Sequence, residues 1–336
     1  MNDWRTPGSE GRPDISLGFG AANLGNLHAE MSDEQARDIL DAAWAGGIRY
    51  FDTAPHYGLG LSECRLGAFL QTKPRHEFVI STKVGRLIRA NPDWRGAGDH
   101  EGFDVPGSLR REVDFSGNGI RASHAESLER LGLDRVDILY LHDPERSDLA
   151  LGLRTAIPAL RALRSEGAVA AIGVGSMSVE ALLASARTPS VDLLMVAGRF
   201  TLADQSIAPE VLGACRANGI GIVNASVFNS GLLASDDPTE TSRHDYGDLP
   251  DGLLYRVRRI REICQRFDVP LPVAALRFAG RDNNVRSVVI AGSNPSQIEQ
   301  NIAWVHRTVP EELWAALGEN GLIAGQSYGC GAYSEF

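Results

Sequence analysis

The stretch IRYFDTAPHYG, residues 48–58, shows the unit from which the fold can be predicted. A short apolar run, 48–51, is typical of a β-strand, and a carboxylate, Asp52, follows it directly. The same kind of strand, followed by a helical pattern, returns along nearly the whole chain. The other candidate strands are 15–20, 77–82, 136–141, 168–175, 191–197, 219–225 and 285–291.

Eight strands that alternate with helices predict parallel pairing through helical crossovers. The number eight favours a closed (β/α)8 barrel, a TIM barrel, formed by residues 1–336 as a single domain. The first helix has a clear start signal, because Ser32 and Gln35 have the spacing of a capping box.

Two connections are longer than such a barrel requires. Residues 84–118 and 229–252 are therefore predicted to be long loops at the C-terminal face, where they would cover a site. Residues 1–13 have neither the basic start nor the apolar middle of a signal peptide, and we expect a loose tail there.

The bulk composition excludes several classes of partner. A formal net charge of −10 and a pI near 5.3 argue against nucleic acid, whose backbone requires clustered positive charge. No apolar run approaches the roughly 18 residues of a membrane helix. Four scattered cysteines without metal-type spacing predict reduced thiols, a cytoplasmic location and no metal site.

Ionisable side chains follow three successive predicted strands. Asp52 follows the second strand, Lys83 the third and His142 the fourth. Because the carboxyl ends of the strands meet at one mouth in this barrel, we expect these side chains to converge, with Tyr57 carried back towards them by its turn. The chain has 33 basic residues but only two lysines, so a retained lysine is a candidate for work that arginine cannot do, such as sharing a proton.

Together these groups could move a proton at a carbon–oxygen bond. Free tyrosine has a pKa near 10, and a neighbouring ammonium favours its phenolate. Tyr57 beside Lys83 would then be a general acid or base, with Asp52 holding the lysine and His142 orienting the reacting oxygen. Each residue taken alone is more often structural, but the four in this arrangement favour a site. None of them supplies a hydride, so a nicotinamide cofactor is implied.

These residues occur in segments that resemble the aldo-keto reductase superfamily, and the resemblance extends over nearly the whole chain. It is strongest in FDTAPHYGLGLSECRLG (51–67), STKVGR (81–86) and SLERLGLDRVDILYLHDP (127–144). The run NASVFNSGLL (224–233) is most similar to the branch of aldose and pyridoxal dehydrogenases. The resemblance implies a catalytic tetrad at Asp52, Tyr57, Lys83 and His142, and an NAD(P) molecule extended across the barrel mouth rather than a Rossmann domain.

The resemblance also implies cofactor contacts, with some departures from the family pattern. The implied positions are Gly175, Ser176, Ser226, Phe228, Ser230, Gly231, Gly292, Gln297 and Asn301. A glutamine and a stacking aromatic that are usual in the family fall on Ala197 and Ala225. Residues 289–301 contain no basic side chain, and a 2′-phosphate depends on charge-assisted hydrogen bonds, so the sequence predicts NAD, with NADP possible.

The expected activity is NAD(P)-dependent oxidation of an aldose at its anomeric carbon to a lactone, with a small sugar or aldehyde as substrate. A pyridoxal 4-dehydrogenase and a general aldehyde reductase are the enzymatic alternatives. A cofactor-sensing regulatory subunit is the alternative without catalysis, and the complete tetrad argues against it.

Overall fold

Eight parallel strands close into a barrel in a computed structural model that describes residues 16–239 and 249–324. In chain order the strands are β1 (Leu17–Gly20), β2 (Tyr50–Asp52), β3 (Val79–Val84), β4 (Arg86–Ala90), β5 (Leu109–Val113), β6 (Ile138–His142), β7 (Ala171–Ser176), β8 (Leu193–Ala197), β9 (Gly221–Ala225) and β10 (Val285–Ile290). The barrel contains all of these except β4 and β5, and β10 pairs with β1 to close it. The predicted (β/α)8 fold is confirmed.

Helices cover the outside of the barrel. They are α1 (Asp33–Ala45), α2 (Leu61–Leu70), α3 (Gly117–Leu131), α4 (Leu149–Ser165), α5 (Val179–Ala186), α6 (Glu210–Asn218), α7 (Leu253–Arg266), α8 (Leu271–Ala279), α9 (Pro295–Val305) and α10 (Glu311–Glu319). The predicted capping box opens α1, where the Ser32 hydroxyl accepts from the Gln35 amide at 3.1 Å and the Ser32 amide donates to the Gln35 side chain at 2.8 Å. Within the described ranges, we find no helix with the length and apolar character needed to cross a membrane.

The predicted strands coincide with the eight barrel strands, but most of them begin two or three residues later than the apolar run. Ile48, Phe78 and Val136 precede their strands and are nevertheless buried. These residues are apolar because they are buried beneath the barrel, although they do not pair in the sheet. A prediction from hydrophobicity alone therefore placed the starts of the strands too early.

The long connection 84–118 is not a loop throughout, and that prediction was wrong in part. Strands β4 and β5 form an antiparallel hairpin within it, and α3 begins at Gly117. The hairpin was missed because half of its strand residues are charged and the apolar ones do not alternate regularly with them, so it lacks the pattern by which strands are recognised. The other long connection has no helix or strand in 229–239 and 249–252, while residues 1–13 lie outside the described part.

The barrel interior is a packed layer beneath the mouth. Two tyrosines, Tyr50 and Tyr140, are among its largest members, and glycines on neighbouring strands make room for them. A Cβ on Gly18 would lie 2.5 Å from the Tyr50 ring, and one on Gly173 would lie 2.7 Å from the Tyr140 ring. The interior therefore has a solid floor, and the open space for chemistry lies above it.

Candidate active site

Three of the predicted residues meet at the carboxyl ends of β2 and β3. The Lys83 Nζ atom donates to Asp52 Oδ2 at 2.6 Å and to the Tyr57 hydroxyl at 3.1 Å. It donates a third hydrogen bond to the Thr53 carbonyl at 2.9 Å. An ammonium group has three protons, so each has a partner and the lysine charge is held against the tyrosine oxygen.

The lysine–aspartate pair is buried, and both of its side chains are almost inaccessible. Burial opposes a charged lysine, but the Asp52 carboxylate outweighs it, with Tyr57 adding to its effect, and raises the pKa of Lys83 above its ordinary value. Burial also raises the pKa of Asp52, against the opposing effect of Lys83 and Ser81. We take the ionised pair as the resting state, because both carboxylate oxygens accept hydrogen bonds at 2.6 Å.

A hydrogen-bonded chain supports the carboxylate from within the barrel. The Ser81 hydroxyl donates to Asp52 Oδ1 at 2.6 Å and lies 2.9 Å from the Tyr50 hydroxyl. Since the single serine proton goes to the carboxylate, Tyr50 must be the donor to Ser81. Tyr50 and Ser81 thus hold the Asp52 carboxylate in position, and Asp52 in turn holds Lys83.

The fourth predicted residue, His142, lies at the end of β6 with its ring at right angles to that of Tyr57. The two ring centroids are 5.9 Å apart. Nδ1 of His142 is buried without a partner in the described ranges, and Nε2 lies 3.6 Å from an Asp143 oxygen. Burial and then Arg86 lower its pKa well below the ordinary value, so the imidazole is neutral.

The predicted nicotinamide contacts Gly175 and Ser176 end strand β7, with Gly175 opposite His142 in the sheet register. The Ser176 hydroxyl donates to Glu145 Oε1 at 2.5 Å and accepts from the Ser178 amide at 2.8 Å. The other oxygen, Glu145 Oε2, is buried and has no partner in the part of the chain that the structure describes. Ser176 and Glu145 thus form a polar pair at the end of β7 in which one carboxylate oxygen has no partner among the described residues.

The predicted pyrophosphate segment follows β9. Ser226, Ser230 and Gly231 have positive φ angles of 54°, 55° and 93°, so the chain makes consecutive tight turns here. Ser230 and Gly231 are exposed, whereas the Phe228 ring is half-buried against Trp304 of α9 at 6.2 Å. The segment therefore exposes backbone groups and small side chains at the mouth, while the Phe228 ring packs beneath them.

The predicted adenosine contacts shape the start of α9. The Gln297 side chain accepts from the Ser293 amide at 2.7 Å, and the buried Asn301 donates to the Ala291 carbonyl at 3.3 Å. A Cβ on Gly292 would lie 2.8 Å from Ile298, so this glycine allows the turn to pack closely. The structure gives each residue a local structural role, and their contact with a cofactor stays a prediction.

Comparison with known proteins assigns the family. The model of the aldo/keto reductase family matches residues 16–320. The chain is 58% identical to a D-threo-aldose 1-dehydrogenase from a Pseudomonas species, over 92% of this chain and 94% of that one, and 36% identical to a pyridoxal 4-dehydrogenase from Microbacterium luteolum, over 95% and 98%. The chain belongs to the aldo/keto reductase family.

Solved structures agree with the barrel. A glycerol dehydrogenase from Gluconobacter oxydans superposes with a TM-score of 0.71 at 19% identity, covering 99% of this chain and 98% of that one. An aldo-keto reductase from Bacillus halodurans gives 0.69 at 23%, covering 90% and 91%. At these identities the likeness concerns the fold alone. Family membership makes this chain an oxidoreductase that uses a nicotinamide cofactor.

The residues at the mouth fit such a cofactor. A nicotinamide carboxamide has an N–H donor, and the buried Glu145 Oε2 is an acceptor without a partner beside Ser176. Ala197 and Ala225, which pair at the ends of β8 and β9, leave space where larger side chains would stand. The exposed turn at Ser230 and Gly231 leaves room for a pyrophosphate.

Sequence reasoning did not predict the contacts that surround the tetrad. Arg86 lies 3.1 Å from His56 Nδ1 and 3.0 Å from Asp143 Oδ2, and it is nearly inaccessible. Phe103, from the connection between β4 and β5, places its ring 6.1 Å from that of Tyr57. Arg86 and Asp143 lie within the segments 81–86 and 127–144, but their separation in sequence gave no sign that Arg86 would bind both Asp143 and His56.

Proposed function

We propose that this aldo/keto reductase is an NAD-dependent dehydrogenase that oxidises the anomeric carbon of an aldose to a lactone. The observation that carries the proposal is the Lys83 ammonium, 3.1 Å from the Tyr57 hydroxyl and 2.6 Å from Asp52, in a chain 58% identical to a D-threo-aldose 1-dehydrogenase. This arrangement supplies the proton transfer that the oxidation of a hemiacetal requires.

In this mechanism Tyr57 removes the proton of the anomeric hydroxyl. The Lys83 charge stabilises the phenolate that takes the proton, and Asp52 keeps the lysine charged and in place. The neutral His142 holds the reacting oxygen through a hydrogen bond and so orients it for the tyrosine. A bound nicotinamide supplies the acceptor for the hydride that the anomeric carbon loses.

The cofactor would occupy the other half of the mouth. Ser176 and Glu145 would receive the nicotinamide carboxamide, and the turn that contains Ser226, Phe228, Ser230 and Gly231 would hold the pyrophosphate through its backbone and hydroxyl groups. Gly292, Gln297 and Asn301 would form the adenosine end at the start of α9.

Charge favours NAD over NADP in this proposal. The neutral Gln297 stands where a cation would be needed for a 2′-phosphate, and residues 289–301 carry no basic side chain. A cleft beside Ser293 is lined by one charged side chain, Glu30, together with neutral residues. A carboxylate near the adenosine ribose accepts hydrogen bonds from hydroxyl groups but repels a phosphate.

A second candidate is the oxidation of pyridoxal in its hemiacetal form. It is supported by the 36% identity to the pyridoxal 4-dehydrogenase, and the same tetrad would perform the proton transfer. Reduction of a simple aldehyde is the reverse use of the same groups. A regulatory subunit without turnover is the remaining alternative.

The test is a substrate panel. We expect NADH formation at 340 nm with NAD and at least one of L-fucose, D-arabinose and L-galactose, and weaker turnover with pyridoxal. Faster turnover of pyridoxal than of every sugar would transfer the proposal to the second candidate. Absence of turnover with all of them, while NAD still binds, would favour the regulatory alternative.

A further inference from the structure

His56 lies directly before Tyr57 and forms a cluster of rings with it, Phe103 and His142. The centroid of the His56 ring is 6.0 Å from that of Tyr57, 5.3 Å from that of Phe103 and 5.5 Å from that of His142. Its ring is nearly perpendicular to those of Phe103 and His142. The tetrad thus has an imidazole neighbour to which the mechanism above gives no role.

The protonation of this imidazole can be deduced from its contact with Arg86. The guanidinium lies 3.1 Å from Nδ1 and can only donate, so Nδ1 accepts and the imidazole proton is on Nε2. Arg86 is itself held by Asp143 at 3.0 Å. Burial, and then Arg86 and Arg111, lower the pKa of His56 to about 2, so this neutral tautomer persists at ordinary pH.

The backbone of His56 is held as firmly as its ring. Arg111 of β5 donates two hydrogen bonds to the His56 carbonyl, at 2.8 Å and 3.3 Å. The same guanidinium forms a bidentate ion pair with Asp99, at 2.6 Å and 3.0 Å. That pair is almost entirely buried. The hairpin and its connection therefore fix His56 before a substrate arrives.

One polar atom of this arrangement has no partner within the described residues, namely Nε2 of His56. It is also absent from the fully enclosed polar atoms, so it can be reached. Because Nε2 is not enclosed, it is open to a hydrogen-bond acceptor that the described residues do not supply. Here one nitrogen is satisfied by a buried arginine, while the other is a donor of fixed direction beside the acid–base group.

We propose that His56 is a substrate-binding residue that donates its Nε2 proton to a non-reacting hydroxyl of the sugar. Arg86 and Asp143 are positioning residues, which act on the substrate through His56. The inference rests on the proposed function, because it specifies how an aldose is distinguished from an aldehyde without hydroxyl groups. A site built to hydrogen-bond a hydroxyl discriminates against the analogue that lacks it.

The experiment combines variants of His56 with sugars that each lack one hydroxyl. His56→Phe removes the donor, His56→Gln retains an N–H at a similar reach, and His76→Gln changes an exposed histidine as the matched control. The wild-type enzyme is assayed first with NAD and the parent sugar. Turnover there establishes the proposed function independently of His56, and its absence would contradict that function.

For one deoxy sugar we expect the wild-type kcat/KM to fall at least tenfold relative to the parent sugar, and this difference to disappear in His56→Phe. The KM of His56→Phe for the parent sugar should rise about tenfold while the Kd for NAD, measured by fluorescence quenching, stays unchanged. His56→Gln should recover part of the difference in kcat/KM between the parent and the deoxy sugar. It also provides the test if the phenylalanine variant fails to fold. If kcat/KM for every deoxy sugar falls relative to the parent sugar by the same factor in the variants as in the wild type, His56 does not bind a hydroxyl.

Discussion

The two halves of the barrel mouth are built in different ways. The ends of β2, β3 and β6 carry Asp52, Lys83 and His142, which are buried. The ends of β8 and β9 carry Ala197 and Ala225, and the turn after β9 is partly exposed and contains no charge. Proton transfer requires charges of fixed position, which only a complete hydrogen-bonded network can hold away from water. A large extended cofactor requires space, backbone groups and small side chains instead.

This comparison predicts that substitutions in the tetrad half change the chemical step and the stability of the fold. Substitutions in the other half should change which cofactor is used and how tightly it binds.

Tyr57→Phe removes the proton acceptor and keeps the ring. We expect kcat to fall by about 10² to 10⁴-fold, the usual contribution of a general acid–base group, with the Kd for NAD unchanged. Steady-state kinetics and a cofactor titration measure the two quantities. Tyr255→Phe, at a tyrosine that is 67% exposed on α7, is the matched control and should be silent. Full activity in Tyr57→Phe would contradict the mechanism.

Lys83→Met leaves the Asp52 carboxylate buried without its partner. Loss of one member of a buried ion pair lowers the free energy of unfolding by about 3–5 kcal/mol, and we expect both that loss and an inactive enzyme. Denaturant unfolding gives the first quantity. The control is Lys73→Met, whose ion pair with Asp41 is longer, at 3.5 Å, and partly exposed, so its loss should be below about 1 kcal/mol. Equal losses in both variants would mean that the buried pair is not special.

Acid should destabilise the fold through His56. Its pKa is about 2 in the folded protein and about 6.5 when unfolded, so only the unfolded state binds the extra proton between these values. The stabilisation is complete above about pH 6.5 and is lost as the pH falls, by about 2 kcal/mol between pH 7 and pH 5. We expect the melting temperature of His56→Gln to depend less on pH over this range than that of the wild type. The same slope in both would show that His56 does not remain neutral.

Gln297→Arg tests the cofactor half. A cation at the start of α9 should raise kcat/KM for NADP relative to NAD by roughly tenfold, about the value of one hydrogen bond to a charged group. The kcat with saturating NAD should stay within about twofold, because the tetrad is untouched. Gln265→Arg, on the exposed face of α7, controls for the added charge. A wild-type enzyme that already prefers NADP tenfold would contradict the choice of NAD.

Much of the fold and part of the site follow from local pattern. The eight apolar runs predicted the barrel strands, and the ends of three of them predicted which side chains would share a mouth. The hairpin of β4 and β5 was not predictable in this way, because half of its strand residues are charged and the others form no regular apolar alternation. Its buried pair, Arg111 with Asp99, forms only when the connection folds back over the site.

The sequence by itself determined the barrel and the pairing of Asp52 with Lys83, because strand periodicity and parallel topology bring successive strand ends together whatever the loops do. Only the tertiary structure decided the surroundings of His56. Arg86, Arg111 and Asp143 come from separate elements, and a hydrogen bond between distant residues leaves no period in the sequence. The identity of the acid–base residues at the mouth therefore follows from local sequence pattern, whereas the position of the proposed substrate contact His56 depends on long-range packing.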